Sequence, residues 1–150
     1  MKRIYILNGP NLSMLGIREP DLYGKQSYKE LKRLVKAHAK DRRIKPVFFQ
    51  SNCEGALVSK IHEAYFKGAL GIVINPGAYT HTSIALLDAV KATMLPTVEV
   101  HISNVGERED FRQVSYVGLA AKKTIAGLGL RGYTEAIDFL LEESTDEGKN

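Results

Sequence analysis

The 150-residue sequence contains no tryptophan and a single cysteine, Cys53. One cysteine excludes an intramolecular disulfide and any metal site built from several cysteines, and it suits a reducing compartment. We interpret Cys53 as a small residue at a strand-to-helix corner rather than as a reactive thiol. Disulfide scaffolds and multi-cysteine metal domains are therefore excluded.

Long apolar runs are also absent. The sequence never reaches the roughly 18 consecutive apolar residues that a membrane-spanning helix needs. The apolar run near the N-terminus, within MKRIYILNGP, is too short for a signal sequence. We therefore expect a cytoplasmic protein without a membrane partner.

Neither sign of charge dominates the chain. Lysine and arginine total 21 against 17 aspartate and glutamate residues, a formal charge of +4 with the four histidines neutral. The basic residues are dispersed rather than gathered in one arm, so we expect no nucleic-acid partner. A small anionic ligand fits this modest positive charge.

The chain alternates two kinds of segment and predicts one domain over residues 1–150, with a disordered polar tail at 144–150. Short apolar segments rich in Val, Ile, Tyr and Phe predict five strands: Arg3–Asn8, Lys45–Gln50, Gly71–Asn75, Thr97–Ile102 and Lys122–Gly127. Amphipathic segments predict helices between and after them: one after the N-cap Ser27, then Glu54–Lys67, Thr82–Thr93 and Tyr133–Glu142. This alternation predicts an α/β fold with a doubly wound parallel sheet.

Ligands of such sheets bind beyond the carboxyl ends of the strands. The residues that follow the predicted strands are polar, rich in amides and poor in metal ligands: Asn8, Pro10, Asn11, Gln50, Ser51, Asn52, Asn75–His81, Glu99, His101, Ser103, Asn104, Arg108 and Arg112. We therefore look for the chemistry of the chain in this set.

Two pairs in this set allow a structural or a functional interpretation. Between Asn75 and His81, the Pro, Gly and Thr residues could form a plain turn before a capped helix, but that leaves the amide and the imidazole unexplained. Glu99 and His101, at i and i+2 of a strand, share a face. They could be a structural ion pair, yet a carboxylate beside an imidazole also fixes its tautomer and favours a proton donor, which is the interpretation we prefer.

The segment after His101 offers groups for an anion. Ile102, Ser103 and Asn104 can present backbone N–H groups and a hydroxyl. Arg108 and Arg112 would share one face if EREDFR were a helical turn, and arginine suits bidentate recognition. Neighbouring acidic residues could instead pair with both arginines at the surface.

Other enzyme and binding classes fit less well. There is no G-x-S-x-G elbow for a serine hydrolase, and GPNLSMLG is not a phosphate-binding glycine loop. Asn8 and Asn75 stand where a response regulator would need acidic residues. A non-catalytic binding module remains the alternative of a different class.

Six motifs together resemble the type II 3-dehydroquinate dehydratases: ILNGPNLSMLGIREPDLYG, QSNCEG, INPGAYTHTSIALLDA, VEVHISN, REDFR and GLGLRGY. The resemblance implies a flavodoxin-like five-stranded fold and interconversion of 3-dehydroquinate and 3-dehydroshikimate in the shikimate or quinate pathway. It also implies an anti elimination of water through an enolate, with no metal, cofactor or Schiff base, in a homododecamer built as a tetramer of trimers. The chain departs from the family pattern at Gly106, Glu107 and Cys53, none of them a catalytic position.

The resemblance implies a role for each matching residue. Tyr23 corresponds to the base that removes the C2 proton, Arg18 to the lid arginine that assists it, and Asn11 to the residue that positions a water at the enolate oxygen. His101 corresponds to the acid that protonates the departing C1 hydroxyl, with Glu99 as its orienting partner. Substrate binding is implied for Asn75, His81, Ile102, Ser103, Arg112 and, from a neighbouring subunit, Asp88.

The loop holding Tyr23 carries the sharpest hypothesis. From bare sequence an ordinary loop tyrosine is as good an interpretation, because the unperturbed pKa of tyrosine is about 10. A guanidinium at close range lowers such a pKa by roughly 1 to 3 units, and Arg18 is the nearest candidate. We therefore expect a lid that closes over substrate and brings Arg18 to Tyr23.

Overall fold

The computed structural model describes residues 1–19, 21 and 25–148. Tyr23, the predicted base, lies outside the described residues, and so does the end of the chain at 149–150. Within the described ranges, no helix combines the length and the apolarity needed to cross a membrane.

Five parallel strands form one sheet in the order β2-β1-β3-β4-β5. The strands are β1 (Lys2–Asn8), β2 (Ile44–Gln50), β3 (Gly71–Asn75), β4 (Thr97–His101) and β5 (Lys123–Ala126). This order is the flavodoxin-like one, in which the chain reverses its direction of growth between β1 and β3. The fold class predicted from the sequence is confirmed, and each strand lies within two residues of its predicted bounds.

Helices cover both faces of the sheet. They are α1 (Tyr28–Asp41), α2 (Glu54–Phe66), α3 (Ile84–Thr93) and α4 (Arg131–Glu147). Successive side chains of β1 point to opposite faces, so Ile4 and Ile6 pack in the core with α1 and α4, while Tyr5 and Leu7 pack in the core with α2 and α3. Burial on both sides explains the continuous apolar runs IYIL in β1 and GIVI in β3.

Two helices begin where a side-chain oxygen caps them. The Ser27 hydroxyl accepts a hydrogen bond from the N–H of Glu30 at 3.2 Å, and the Ser83 hydroxyl accepts one from Leu86 at 3.0 Å. The Ser27 cap confirms the predicted start of α1. The cap at Ser83 places the start of α3 two residues later than the predicted Thr82.

Helix α4 is longer than the sequence pattern predicts. It begins at Arg131 rather than Tyr133 and continues to Glu147, so residues 144–147 are helical rather than a disordered tail. Lys122 explains the extension, because its ammonium lies 3.2 Å from a carboxylate oxygen of Glu143 and 3.5 Å from one of Glu147. These ion pairs join the last turns of the helix to the residue before β5, a contact between distant segments that local periodicity does not contain.

A buried polar chain links α4 to the carboxyl ends of β1 and β3. The Tyr133 hydroxyl donates to Oδ1 of Asn8 at 2.6 Å and accepts from Nδ2 of Asn75 at 3.0 Å. Burial raises the pKa of Tyr133 well above its ordinary value, so the phenol stays neutral and keeps the proton it donates. These hydrogen bonds therefore orient the amides of Asn8 and Asn75 at the point where the sheet reverses its order.

We expect Tyr133→Phe to lower the free energy of unfolding by about 1 to 3 kcal/mol, because it leaves Oδ1 of Asn8 and Nδ2 of Asn75 without this partner in a buried site. Urea unfolding at neutral pH measures the change. The matched control is Tyr65→Phe, which removes a hydroxyl from a side chain that is exposed on α2. An equal loss of free energy of unfolding in the two variants would contradict a stabilising role for the hydrogen bonds of Tyr133.

Candidate active site

A cavity of about 230 Å³ opens at the carboxyl ends of β1, β3 and β4, next to the reversal point of the sheet. Its lining combines amides, imidazoles and guanidinium groups with a few apolar side chains: Asn11, Leu12, Leu15, Arg18, Asn75, Gly77, Ala78, His81, His101, Ile102, Ser103, Arg108 and Arg112. This is the position at which open α/β sheets bind ligands.

The loops after β1 and β3 form the floor of the cavity by packing closely on each other. A Cβ atom at Gly9 would lie 2.3 Å from the carbonyl oxygen of Pro76, a distance that real Cβ atoms do not reach. Gly77 has a φ of +60°, and a Cβ there would lie 3.0 Å from the carbonyl oxygen of Pro10. The N–H of Gly9 donates to the carbonyl of Asn75 at 2.8 Å. Glycine at these two positions is what lets the two loops meet.

Asn75 is held in one orientation beneath the cavity. Its Nδ2 donates to the Tyr133 hydroxyl, and its Oδ1 accepts from the N–H of Gly77 at 3.1 Å. The acceptor side of the amide is therefore occupied by backbone, while Nδ2 has a second hydrogen. The amide can thus act on a ligand as a hydrogen-bond donor.

His101 and Glu99 form the pair that their spacing on one strand predicts. Nε2 of His101 lies 3.2 Å from Oε2 of Glu99, and His101 lines the cavity while Glu99 lies completely buried behind it. Burial opposes the ionisation of Glu99, but the hydrogen bond and charge of His101, together with the Thr80 and Ser115 hydroxyls, lower the pKa of Glu99 to about 2. Because Nε2 contacts the carboxylate, Nδ1 is the ring nitrogen available to a ligand.

Backbone geometry after β4 directs two N–H groups toward the cavity side. The carbonyls of His101 and Ile102 accept hydrogen bonds from Gly127 at 3.2 Å and from Gly129 at 3.1 Å. Across a trans peptide the next N–H points opposite to the carbonyl, so the N–H groups of Ile102 and Ser103 face away from β5. Ile102 and Ser103 both line the cavity, so these groups can donate to an anion there.

His81 is fixed by the segment after Arg112. Its Nδ1 lies 2.7 Å from the carbonyl oxygen of Val114, which can only accept, so Nδ1 carries a hydrogen. The tautomer follows from this bond and leaves Nε2 for a ligand. The 3₁₀ turn Gly77–His81 carries the ring from the end of β3 to the cavity wall.

Three arginines, Arg18, Arg108 and Arg112, give the cavity a positive lining. The segment EREDFR is not one helical turn, because Val105–Glu107 and Asp110–Arg112 are separate 3₁₀ turns and Glu109 between them is extended. Glu109 pairs with Arg112 at 2.8 Å and approaches Arg108 at 3.7 Å. The acidic neighbour predicted as an alternative partner is therefore present, yet both arginines still line the cavity.

Asn11 stands at the rim in a left-handed conformation, with φ of +70°, which asparagine tolerates better than most residues. Its N–H donates to Oδ1 of Asn52 at 3.1 Å, and Asn52 also accepts from Gln50 at 3.2 Å. Gln50 and Asn52 are therefore supports for the loop after β1, although their place after β2 suggested ligand contact.

The cavity brings together eight of the residues predicted for the site: Asn11, Arg18, Asn75, His81, His101, Ile102, Ser103 and Arg112. Glu99 lies directly behind them, whereas Asp88 is exposed on α3 and does not line the cavity. Sequence reasoning missed the apolar lining of Leu12, Leu15 and Ala78. The prediction considered only polar residues at the strand ends and therefore left these three out, although all three lie within the family motifs.

Comparison with known proteins decides the family. The family model for dehydroquinase class II matches residues 2–141. The chain belongs to the class II dehydroquinase family. It is 46% identical over 146 residues to a 3-dehydroquinate dehydratase of Caldicellulosiruptor bescii, covering 97% of this chain and 100% of the relative. It is 53% identical over 139 residues to one of Corynebacterium glutamicum strain R, covering 92% and 94%.

A solved class II dehydroquinase has the same fold. The type II dehydroquinase of Butyrivibrio crossotus superposes with a TM-score of 0.91 at 48% identity, and the match covers 93% of this chain and 97% of that one. The resemblance seen in the motifs is thus confirmed, and the chain is a type II dehydratase. The alternative of a non-catalytic binding module is excluded.

The depressed pKa of Glu99 makes stability depend on pH. Its ordinary value is 4.5 and folding lowers it to about 2, so ionised Glu99 stabilises the fold fully above pH 4.5. This contribution, roughly 3 kcal/mol, is lost as the pH falls toward 2. We expect Glu99→Gln to lack this part of the pH dependence.

Urea unfolding of the wild type and of Glu99→Gln between pH 7 and pH 2 measures the difference. The gap in free energy of unfolding between the two should be largest above pH 4.5 and narrow as the solution is acidified. A gap that stays constant with pH would show that Glu99 is not an ionised partner of His101.

Proposed function

We propose that this dehydratase converts 3-dehydroquinate to 3-dehydroshikimate, reversibly, by anti elimination of water through an enolate. The observation that carries the proposal is His101, which faces a positively lined cavity and is backed by the buried carboxylate of Glu99. An imidazole held in this way suits a proton donor to a departing hydroxyl. The proposed chemistry needs no metal, no cofactor and no Schiff base.

Substrate binding is proposed for the donors around the cavity: Asn75, His81, Ile102, Ser103 and Arg112. The substrate carries a carboxylate, which suits the N–H groups of Ile102 and Ser103 and the amide of Asn75. Hydroxyl groups of the ring suit the imidazole of His81 and the guanidinium of Arg112. Together these donors would hold the reacting carbons at a fixed distance from the proton-transfer groups.

The first step is proton removal from C2. Tyr23, as phenolate, takes this proton, and the C2–H electron pair forms an enolate with the C3 carbonyl. Arg18, which lines the cavity, is the cation that favours the phenolate when the lid of residues 16–24 closes. Asn11 holds a water that donates to the enolate oxygen.

The second step breaks the C1–O bond. The enolate electrons return through C2 to form the C1–C2 double bond, and the hydroxyl leaves as water with the proton of His101. The carboxylate of Glu99, 3.2 Å from Nε2, holds the imidazole ring in place for this transfer. Anti geometry follows if Tyr23 and His101 act from opposite sides of the ring.

Residues 1–150 are proposed to act as a single catalytic domain in a cytoplasmic homododecamer, a tetramer of trimers, serving the shikimate or the quinate pathway. Asp88 is exposed on α3 and is not among the residues that line the cavity of its own chain. This placement supports a role in the site of a neighbouring subunit. The proposed shared site also gives a reason why the enzyme would act only as an oligomer.

Absorbance of the conjugated product gives the direct test of the reaction. On adding 3-dehydroquinate to the wild type, we expect ultraviolet absorbance of the enone to rise. Tyr23→Phe should lose nearly all turnover, a fall of about 10³-fold or more, while still binding substrate, because the phenyl ring keeps the shape and lacks the base. Tyr65→Phe, on the exposed face of α2, is the matched control and should keep full activity.

Three outcomes would count against the proposal. A wild type without enone formation would remove the substrate assignment. A Tyr23→Phe variant with near-normal kcat would remove the base. Covalent inactivation by borohydride in the presence of substrate would replace the enolate route with a lysine imine, although the described lining of the cavity contains no lysine.

A mixing experiment tests the shared site. Asp88→Ala alone should lose most activity, as Tyr23→Phe does. Unfolding and refolding the two variants together at equal amounts should restore about a quarter of wild-type activity, because hybrid oligomers combine an intact Tyr23 with a neighbour's intact Asp88. Sedimentation velocity should show a particle of twelve 16.6-kDa chains. No recovery on mixing, or an active monomer, would contradict the role of Asp88.

A further inference from the structure

The carboxylate of Glu99 lies within a ring of hydroxyl groups that are not assigned to catalysis. Thr80 donates to Oε2 at 2.6 Å and Thr124 donates to Oε1 at 3.1 Å. Ser115 contacts both oxygens, Oε1 at 2.9 Å and Oε2 at 2.7 Å. With Nε2 of His101, these donors occupy both oxygens of a carboxylate that is closed to solvent.

Ser115 is the member of this ring that lies within hydrogen-bond distance of both carboxylate oxygens. The N–H of Gly118 donates to its oxygen at 2.9 Å, so the oxygen already serves as an acceptor there. A hydroxyl has one hydrogen, and the acceptors it faces are the two oxygens of Glu99. The hydroxyl therefore bridges the carboxylate instead of rotating between alternative partners.

Backbone packing shows how closely the turn after Ser115 is fitted to the carboxylate. A Cβ at Gly118 would lie 2.8 Å from the Ser115 oxygen and 3.3 Å from Oε1 of Glu99. Residue 118 must therefore be glycine for the hydroxyl to reach both oxygens without displacement. The 3₁₀ turn Val117–Leu119 carries this glycine.

The same short segment also contacts two other parts of the site. The carbonyl of Val114 accepts from His81 at 2.7 Å, and the N–H of Tyr116 donates to the carbonyl of Thr80 at 2.8 Å. Residues 114–116 are not part of the described lining of the cavity. The segment instead contacts His81, Glu99 and Thr80.

Bridging matters because the last torsion of a glutamate side chain is intrinsically broad. One contact to His101 would leave the carboxylate plane free to turn, and the imidazole would turn with it. Thr80 and Thr124 each hold one oxygen, and Ser115, which spans both oxygens, restricts the plane further and also satisfies lone pairs that burial would otherwise leave unpaired.

We propose that Ser115 is a positioning residue of the dehydration: its hydroxyl bridges Glu99, fixes the carboxylate plane and thereby aims Nδ1 of His101 into the cavity. This inference rests on the proposed function of His101 as the acid. Ser115 does not touch the cavity, so its effect falls on the proton-transfer step and spares substrate binding.

The test compares Ser115→Ala with variants that isolate the hydroxyl. We expect Ser115→Ala to lower kcat about ten-fold or more, the equivalent of losing one charge-assisted hydrogen bond, with KM within about two-fold of wild type. Ser115→Thr keeps the hydroxyl and should recover most of kcat. Gly118→Ala keeps Ser115 but crowds its oxygen, and should reproduce the loss.

Thr93→Val is the matched control for an effect on stability alone. Thr93 is a buried residue of α3 whose hydroxyl donates to the Val90 carbonyl at 3.1 Å rather than to Glu99. Its removal should lower Tm and leave kcat unchanged. Binding of 3-dehydroquinate to Ser115→Ala in the Tyr23→Phe background should keep one site per chain and the same Kd, which shows that the cavity is intact.

Three results would overturn the inference. The first two are a Ser115→Ala variant with kcat within two-fold of wild type and a fall in kcat that Thr93→Val matches. A rise in KM in proportion to the loss would also overturn it, because Ser115 would then act on binding. The variant His101→Ala distinguishes a failure of this inference from a failure of the proposed function. If His101→Ala keeps full activity, His101 is not the acid and the proposed function fails. If His101→Ala is inactive while Ser115→Ala has normal activity, only the role of Ser115 is contradicted.

Discussion

The close packing of the β1 loop on the β3 loop is the constraint on which the site depends. These strands are neighbours at the point where the sheet reverses its order of growth, and the loops after them carry Asn11, Asn75 and His81 of the cavity lining. Gly9 lies so near Pro76 that any side chain at residue 9 would separate the loops. The contact joins the rim at Asn11 to the wall that runs from Asn75 to His81.

Above this floor, electrostatic interactions organise the site. A carboxylate as deeply buried as Glu99 is costly to desolvate, and the surrounding hydrogen-bond donors with His101 offset that cost. The guanidinium groups on the open side complete a separation of charge: positive groups face the cavity, and the compensating negative group lies behind the imidazole. An anionic ligand therefore meets donors first and reaches the carboxylate only through His101.

Much of this arrangement could be predicted from the sequence, for reasons that particular residues show. Alternating apolar segments located the five strands because a sheet covered on both faces leaves little choice of residue type. The pairing of Glu99 with His101 could be predicted because side chains two positions apart on a strand share a face. Gln50 and Asn52 illustrate the limit, since an amide after a strand supports a loop as readily as it binds a ligand. The extent of α4 and the bridging by Ser115 depend on contacts between distant residues, which local patterns do not encode.

The hydrogen bond from Tyr133 to Asn8 joins residues 125 positions apart in the chain. Asn8 therefore leaves the ribosome long before Tyr133 is synthesised. Until α4 docks, the amides at the ends of β1 and β3 have no phenol between them and the floor of the cavity is incomplete. A contact between residues so far apart in the chain is of the kind that slows folding, and the part of the site that it supports forms only after α4 has been synthesised.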